Sequence, residues 1–207
     1  MGNRMAHYIG PKARINRRLG VDVYDSSGAS RAARLRPFKP GMHPWRRRKL
    51  TPYGQALIEK QALRHYYGMN ERQLRRFFNK AKGMPGNNGA NLLALCERRL
   101  DNIIWRAGFC NTRSQARQAV AHGHFLINGK RCKAPSAMLR AEDEVVVRDR
   151  ENLKKIYAER IEANDRAVAD FLAVQTDELK FKVLRLPDRE DSTLPVDINQ
   201  VVEFLTR

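Results

Sequence analysis

NLLALCERRLDNIIWRAGFCNTRSQARQAVAHGHFLINGKRCK, residues Asn91 to Lys133, reads as two short helices followed by a tight hairpin. In the first helix Leu92, Leu93, Cys96, Leu100, Ile103, Ile104 and Ala107 recur at intervals of three and four, which gives one broad apolar face. Gly108 follows the last of them, where a chain leaving a helix often needs the left-handed conformation. Thr112 with Gln115 makes a capping-box pair for the second helix, which turns Ala116, Ala119 and Val120 inward and stops at Gly123. Phe125-Leu126-Ile127 and the residues from Lys130 flank Asn128-Gly129, a dipeptide suited to the two positive-φ positions of a hairpin turn.

The polar side of this unit is cationic. Arg113 and Arg117, four apart, share a helix face; Arg98, Arg99 and Arg106 belong to the first helix, and Lys130, Arg131 and Lys133 follow the turn. Taken singly each could be a solvated surface charge. Together, on a small rigid frame, they suit backbone phosphates, which need donors at fixed spacings and carry no sequence information.

Composition strengthens that reading. The 207 residues hold 40 Lys and Arg against 22 Asp and Glu, a net charge of +18. The excess is graded: residues 1–50 contain 13 basic and 2 acidic side chains, whereas 151–207 contain 9 and 12. An excess of this size is self-repulsive in isolation and points to a polyanionic partner at the basic end. No window approaches the run of about 18 apolar residues that a membrane span needs. The Arg-rich start has no apolar signal region, and Asp22 and Asp25 with the turn-like Tyr8-Ile9-Gly10-Pro11 disfavour an organellar presequence, so a cytoplasmic protein is expected. Three widely spaced cysteines do not make a disulfide framework.

Around the central unit the expected class is α+β, in three parts. Residues 1–50 read as an extended basic arm, poor in apolar residues and ordered by RNA. It ends in Pro44-Trp45-Arg46-Arg47-Arg48-Lys49, cations beside an indole, which suits phosphates with a stacked base; nuclear localisation is the stock alternative. Residues 51–90 read as a helical domain. One helix runs over Tyr53–Tyr67, and a second over Glu71–Lys82 sets Arg72, Arg75, Arg76, Lys80 and Lys82 around a core stripe of Leu74, Phe77 and Phe78. The Gly/Asn/Pro run 82–90 is a boundary; it lacks the Gly-Lys-Ser/Thr ending of a phosphate loop. Residues 91–190 form the α/β module with a small antiparallel sheet, extended by a strand at Glu144–Arg148, a helix over 149–165 and paired strands at 171–174 and 180–186. Within 197–207 a short helix, Ile198–Leu205, capped by Asp197 and Gln200, carries Val201, Val202 and Leu205 and is expected to join the helical domain.

Catalytic readings fail on these residues. None of the five histidines sits in a nucleophile or metalloprotease motif, and paired carboxylates occur only in polar turns. Cys110, His122, His124 and Cys132 supply a zinc-type donor set at a spacing unlike a zinc finger, so no metal or other cofactor is expected. A long arm and several separate basic patches suit a folded RNA of many helices better than DNA.

Asn91-Leu-Leu-Ala-Leu-Cys-Glu-Arg-Arg-Leu-Asp-Asn-Ile-Ile-Trp-Arg-Ala-Gly-Phe109, Thr112-Arg-Ser-Gln-Ala-Arg-Gln-Ala-Val120 and Ile127-Asn-Gly-Lys130 resemble the RNA-binding module named after ribosomal protein S4, which pseudouridine synthases and tyrosyl-tRNA synthetases also carry. The flanks are similar to the ribosomal protein family itself: Tyr8-Ile-Gly-Pro-Lys12 with Arg17-Arg18, Pro40-Gly-Met-His43, Tyr53-Gly54 with Glu59-Lys-Gln61, Tyr67-Gly68 with Glu71-Arg-Gln73, and Asp197-Ile-Asn199. The resemblance implies a structural, non-enzymatic constituent of the small ribosomal subunit that binds 16S-type rRNA directly and nucleates assembly of the subunit body. It implies contact with ribosomal protein S5 and, with S5 and S12, a part in translational accuracy. The expected rRNA contacts are Lys12, Arg14, Arg17, Arg18, Arg72, Arg75, Arg76, Lys80, Arg98, Arg99, Arg113, Gln115, Arg117, Lys130 and Arg131. Arg46, Arg47 and Lys49 match residues that line the mRNA entry path, and Arg48 adds a cation there. Some relatives carry a zinc-binding cysteine cluster in the arm; residues 1–50 here contain no cysteine. The alternative is a stand-alone RNA binder, or an RNA-modification factor that uses the module for docking.

Overall fold

The structure, a computed structural model, describes residues 8–24, 26–43, 49–164 and 166–206. In chain order the helices are α1 (Lys12–Leu19), α2 (Ser27–Leu35), α3 (Pro52–Tyr66), α4 (Glu71–Lys82), α5 (Asn88–Glu97), α6 (Leu100–Arg106) and α7 (Arg113–His122). Strands β1 (Phe125–Ile127), β2 (Lys130–Arg131) and β3 (Glu144–Val147) follow, then α8 (Glu151–Glu162), β4 (Leu172–Gln175), β5 (Lys180–Val183) and α9 (Ile198–Thr206). Two compact units result, one of Met1–Leu92 with Thr193–Arg207, the other of Leu93–Ser192.

In the first unit Thr51 caps α3 by accepting from the Gly54 amide at 3.2 Å, with Pro52 at the first helical position. Asn70 and Gln73 complete a reciprocal capping box at the start of α4. Leu74, Phe77, Phe78 and Ala81 of α4 are buried and its cations point outward. Helix α9 lies along α3, burying Ile198 and Val201; Tyr53 meets Phe204 at 5.2 Å, and the Asp197 amide donates to Glu59. Asp197 caps α9 through the Asn199 amide at 3.0 Å and also accepts from the Gln200 side chain. Buried Lys60 is paired with Glu71 at 2.7 Å and sits 4.6 Å from the Phe204 ring centroid.

The expectation of a wholly extended arm is corrected within residues 8–43, which contain α1 and α2. Their apolar content is low, so polar contacts inside the unit help to hold them. Asn16 donates to Asp22 at 2.8 Å and accepts from the Tyr24 amide, and Tyr24 Oη lies 2.9 Å from His65 Nδ1 on α3.

The second unit is built on a five-stranded antiparallel sheet of order β2-β1-β3-β5-β4. Alternation sends Phe125, Val145, Val147, Phe181 and Val183 inward, where they meet Leu100, Ile103, Ile104, Val120 and Tyr157. Phe109 is the hub, with ring centroids 5.5 Å from Phe181, 6.0 Å from Phe125 and 6.2 Å from Tyr157. The hairpin turn has the two positive φ angles anticipated, 47° at Asn128 and 77° at Gly129.

The helix expected over 91–107 is broken at Arg98–Arg99, a second correction. Arg99 is extended (φ −67°, ψ 136°) and bridges Met138; the Leu100 amide donates to Ala137 O at 2.8 Å and the Leu139 amide to Arg98 O at 3.0 Å. Two backbone bonds to a distant segment of the chain replace the helical bonds missing there. The Thr112 cap is also modified: Thr112 accepts from the Gln115 amide, but the Gln115 side chain accepts from Asn111 at 2.9 Å.

Candidate nucleic-acid interface

Each unit carries its own cationic surface. On α4, Arg72, Arg76 and Lys80 fall four apart, so their Cα atoms rise along one face in steps of about 6 Å. All three are exposed, and among the described residues none forms an ion pair; Arg75 beside them reaches Glu71 only at 3.9 Å. Burial of the apolar stripe thus presents a row of unneutralised cations. Arg14 and Arg18 on α1 are also exposed. Arg17 is turned aside, its Nε donating to Phe38 O at 2.8 Å, and the Lys12 ammonium lies 5.7 Å from the Tyr24 ring centroid. Lys49 is exposed; Arg46, Arg47 and Arg48 lie outside the described residues.

In the second unit the expected contacts divide. Lys130 and Arg131 stand exposed on the hairpin, with Arg131 also donating to His122 O at 3.0 Å. Arg98 is half-buried and donates to Leu139 O at 3.0 Å. Arg99 is a correction: its side chain is 0% exposed, so it cannot reach a phosphate in this fold. It grips Asp101 through two bonds of 3.0 and 2.6 Å. Burial acts to weaken its charge, but Asp101 outweighs this and holds the guanidinium protonated. Arg117 joins the same carboxylate at 3.3 Å. Arg113 donates to Asn102 Oδ1 at 2.9 Å, and its guanidinium carbon sits 3.5 Å from the Trp105 ring centroid. Gln115 spends its side-chain oxygen on Asn111.

A polar network therefore lies beneath the helix face that was expected to meet RNA. Fully buried Glu97 accepts from Asn102 at 2.6 Å and from Arg106 through two bonds of 3.1 Å, and Arg106 also donates to Asp191 O at 2.7 Å. Trp105 lies between cations: besides Arg113, Arg166 is 4.7 Å and Arg106 5.4 Å from its ring. Glu97, Asp101 and Asn102 were missed as candidates, although Glu97 and Asp101 fall four residues apart on the stripe that contains Leu93 and Ile104. That coincidence of charge with core phase was the available signal.

Arg148, Arg150 and Arg160 were also missed. Arg148 and Arg150 leave the end of β3 beside β1, and Arg160 lies one turn beyond Tyr157 on α8. The donors considered for zinc are engaged separately. Cys110 is buried in the core, with burial first and foremost raising its thiol pKa to about 12; His124 bonds Tyr157, and Cys132 donates to Ala134 O. No group of three or more potential ligands suited to a metal occurs among the described residues. Nor is any helix among them long and apolar enough to cross a membrane.

Comparison with known proteins matches residues 7–97 to the ribosomal protein S4/S9 N-terminal domain and 98–145 to the S4 domain. Over 98% of this chain and the full length of each relative, it is similar to proteins named small ribosomal subunit protein uS4. Identity is 52% with that of Rhodopirellula baltica, 44% with that of Geobacillus thermodenitrificans and 41% with that of Roseiflexus castenholzii.

Proposed function

The chain belongs to the uS4 family of small ribosomal subunit proteins, and on that premise we propose that it is a primary binder of 16S-type rRNA that nucleates assembly of the subunit body. It is a structural constituent of the small ribosomal subunit and not an enzyme. The observation that carries the rRNA reading is the exposed row Arg72, Arg76 and Lys80 on α4. Charges of one sign at helical spacing, above an apolar stripe turned inward, form a surface that a phosphate backbone completes. Arg14, Arg18, Lys130 and Arg131 extend this binding with exposed cations, whereas Arg98, Arg113 and Arg117 serve both the fold and the RNA face.

The finer assignments rest on the residues matched to the family. Ribosomal protein S5 is the protein neighbour, and through it, with S12, the chain contributes to accuracy. Arg46 to Lys49 line the mRNA entry path, and the assembled protein works in the cytoplasm. Purification from cells followed by gradient sedimentation tests the core of this reading. The protein is expected in the small-subunit fraction, released only at high salt; accumulation solely in free fractions would refute it. Neutralising Arg46 to Lys49 should slow translation through structured mRNA more than it weakens rRNA binding.

A further inference from the structure

Between α7 and α8, in the second unit, lies a concavity of about 240 Å³ lined by Gln115, Gln118, His122, His124, Tyr157 and Arg160. We propose that it is a separate RNA-backbone subsite in which His122 and His124 hold a phosphate and His124 takes up a proton as it binds. The inference rests on the rRNA reading above and adds to it a site and a pH dependence.

The geometry comes first. Gly123, at φ 71°, ends α7 and throws His124 toward α8, where its Nδ1 meets Tyr157 Oη at 2.9 Å. Burial chiefly raises the Tyr157 pKa, so the phenol keeps its proton and is able to donate to Nδ1. In the tautomer that accepts from the phenol, the neutral imidazole carries its own proton on Nε2, the nitrogen left for a ligand. His122 is exposed and packs edge-on against His124 at 5.8 Å. Two amides on α7 supply neutral donors beside them, and Arg160 lies over the Tyr157 ring at 5.3 Å.

The charges around this hollow are of one sign. Those acting on His124 are His122 from α7, Arg160 from α8, Arg150 at the start of α8 and Arg131 from β2, with no carboxylate among them. Arg150 and Arg131 also crowd Arg148 at the end of β3. Elsewhere in this unit the perturbed arginines have an acidic neighbour: Asp143 near Arg98, Asp101 at Arg99 and Arg117, and Asp191 at Arg185. Among the described residues the groups that act on His124 and Arg148 are all basic, and an arriving anion relieves their repulsion. In the free protein His124 is held below its ordinary value, first by partial burial and then by these cations. A phosphate reverses the electrostatic contribution, raises the imidazole and draws in a proton. A flexible anion that bridges Arg131, Arg150 and Arg160 fits a nucleic-acid backbone better than one buried carboxylate does.

The test uses the full chain and a small-subunit rRNA 5′-domain fragment. Affinity is measured from pH 7.5 to 6.0, with the imidazole Cε1–H signals of His122 and His124 followed by NMR. The linkage predicts about three- to tenfold tighter binding at the lower pH, with the His124 imidazole pKa raised in the complex. His122→Gln with Arg160→Gln should lower affinity and flatten this dependence while the free protein keeps its thermal midpoint. A slope identical to that of the parent protein, or imidazoles shifted by polyglutamate and not by RNA, would overturn the subsite. Failure of the parent chain to bind the fragment at any pH would overturn the rRNA reading itself, and the subsite with it.

Discussion

Replacing Asp101 by alanine removes a carboxylate that grips fully buried Arg99 and also ties down Arg117. The change deletes bonds of 2.6 and 3.0 Å from Arg99 and one of 3.3 Å from Arg117, all charge-assisted. Counting each at about 1.5–3 kcal/mol would overstate the effect, because Arg117 is partly exposed and can turn to water. Arg99 cannot, and removing one partner of a buried charge pair costs about 3–5 kcal/mol. The chain has two tryptophans, so in a Trp45→Phe background Trp105 fluorescence reports unfolding of the second unit alone. With a slope of about 1.5–2 kcal/mol per M, the urea midpoint should fall by about 2 M. Adding Arg99→Met to Asp101→Ala should recover much of this stability, since the stranded charge leaves with its partner. A single-mutant destabilisation below about 1 kcal/mol, or a double mutant no better than the single, would refute the view that the stranded charge dominates.

Three further outcomes are expected. Arg72→Gln, Arg76→Gln and Lys80→Gln together should weaken binding to rRNA and reduce its salt dependence by about 0.7–0.9 log units for each phosphate no longer neutralised; Arg113→Ala with Arg117→Ala should change that slope less and depress the urea midpoint more. His65, buried on α3 beside Tyr24 and Arg64, is lowered to about 4, first by burial and then by Arg64 and Arg18. The unfolded chain takes up that proton near its ordinary value, so this contribution to stability is complete above about pH 6.5 and is lost as pH falls toward 4. His65→Phe should remove that part of the pH dependence in thermal melts. Gly108→Ala should cost about 1–2 kcal/mol by the same melts, because φ is +87° and an added Cβ would meet Asn164 Nδ2 at 2.6 Å.

What the sequence made visible was whatever repeats locally. The stripe Leu92, Leu93, Cys96, Leu100, Ile103, Ile104 is buried as its period requires, and Asn128-Gly129 forms the hairpin turn. The break at Arg98–Arg99 was invisible because its cause, Met138 with its neighbours, is distant in the chain. Arg99 was assigned to the surface because an arginine is normally read as solvated; only the fold brings Asp101 to it in a buried setting. The helices α1 and α2 escaped detection because few apolar residues mark them, and their anchors are single polar contacts such as Tyr24 with His65. The hollow between α7 and α8 draws its residues and charges from α7, the turn after it, α8 and β2, so no spacing rule could have announced it.

The return of α9 to α3 has a consequence for how the chain is made. Residues 93–192 are synthesised between the two segments of the first unit, so their sheet can close while α3 still lacks its cover. A nascent chain that stalls before Ile198 would carry a finished module and, in its first unit, an apolar furrow open where Ile198 and Val201 belong. Completion of the first unit is thus a late event in translation, and unfinished chains expose a sticky surface by which chaperones or proteases can sort them.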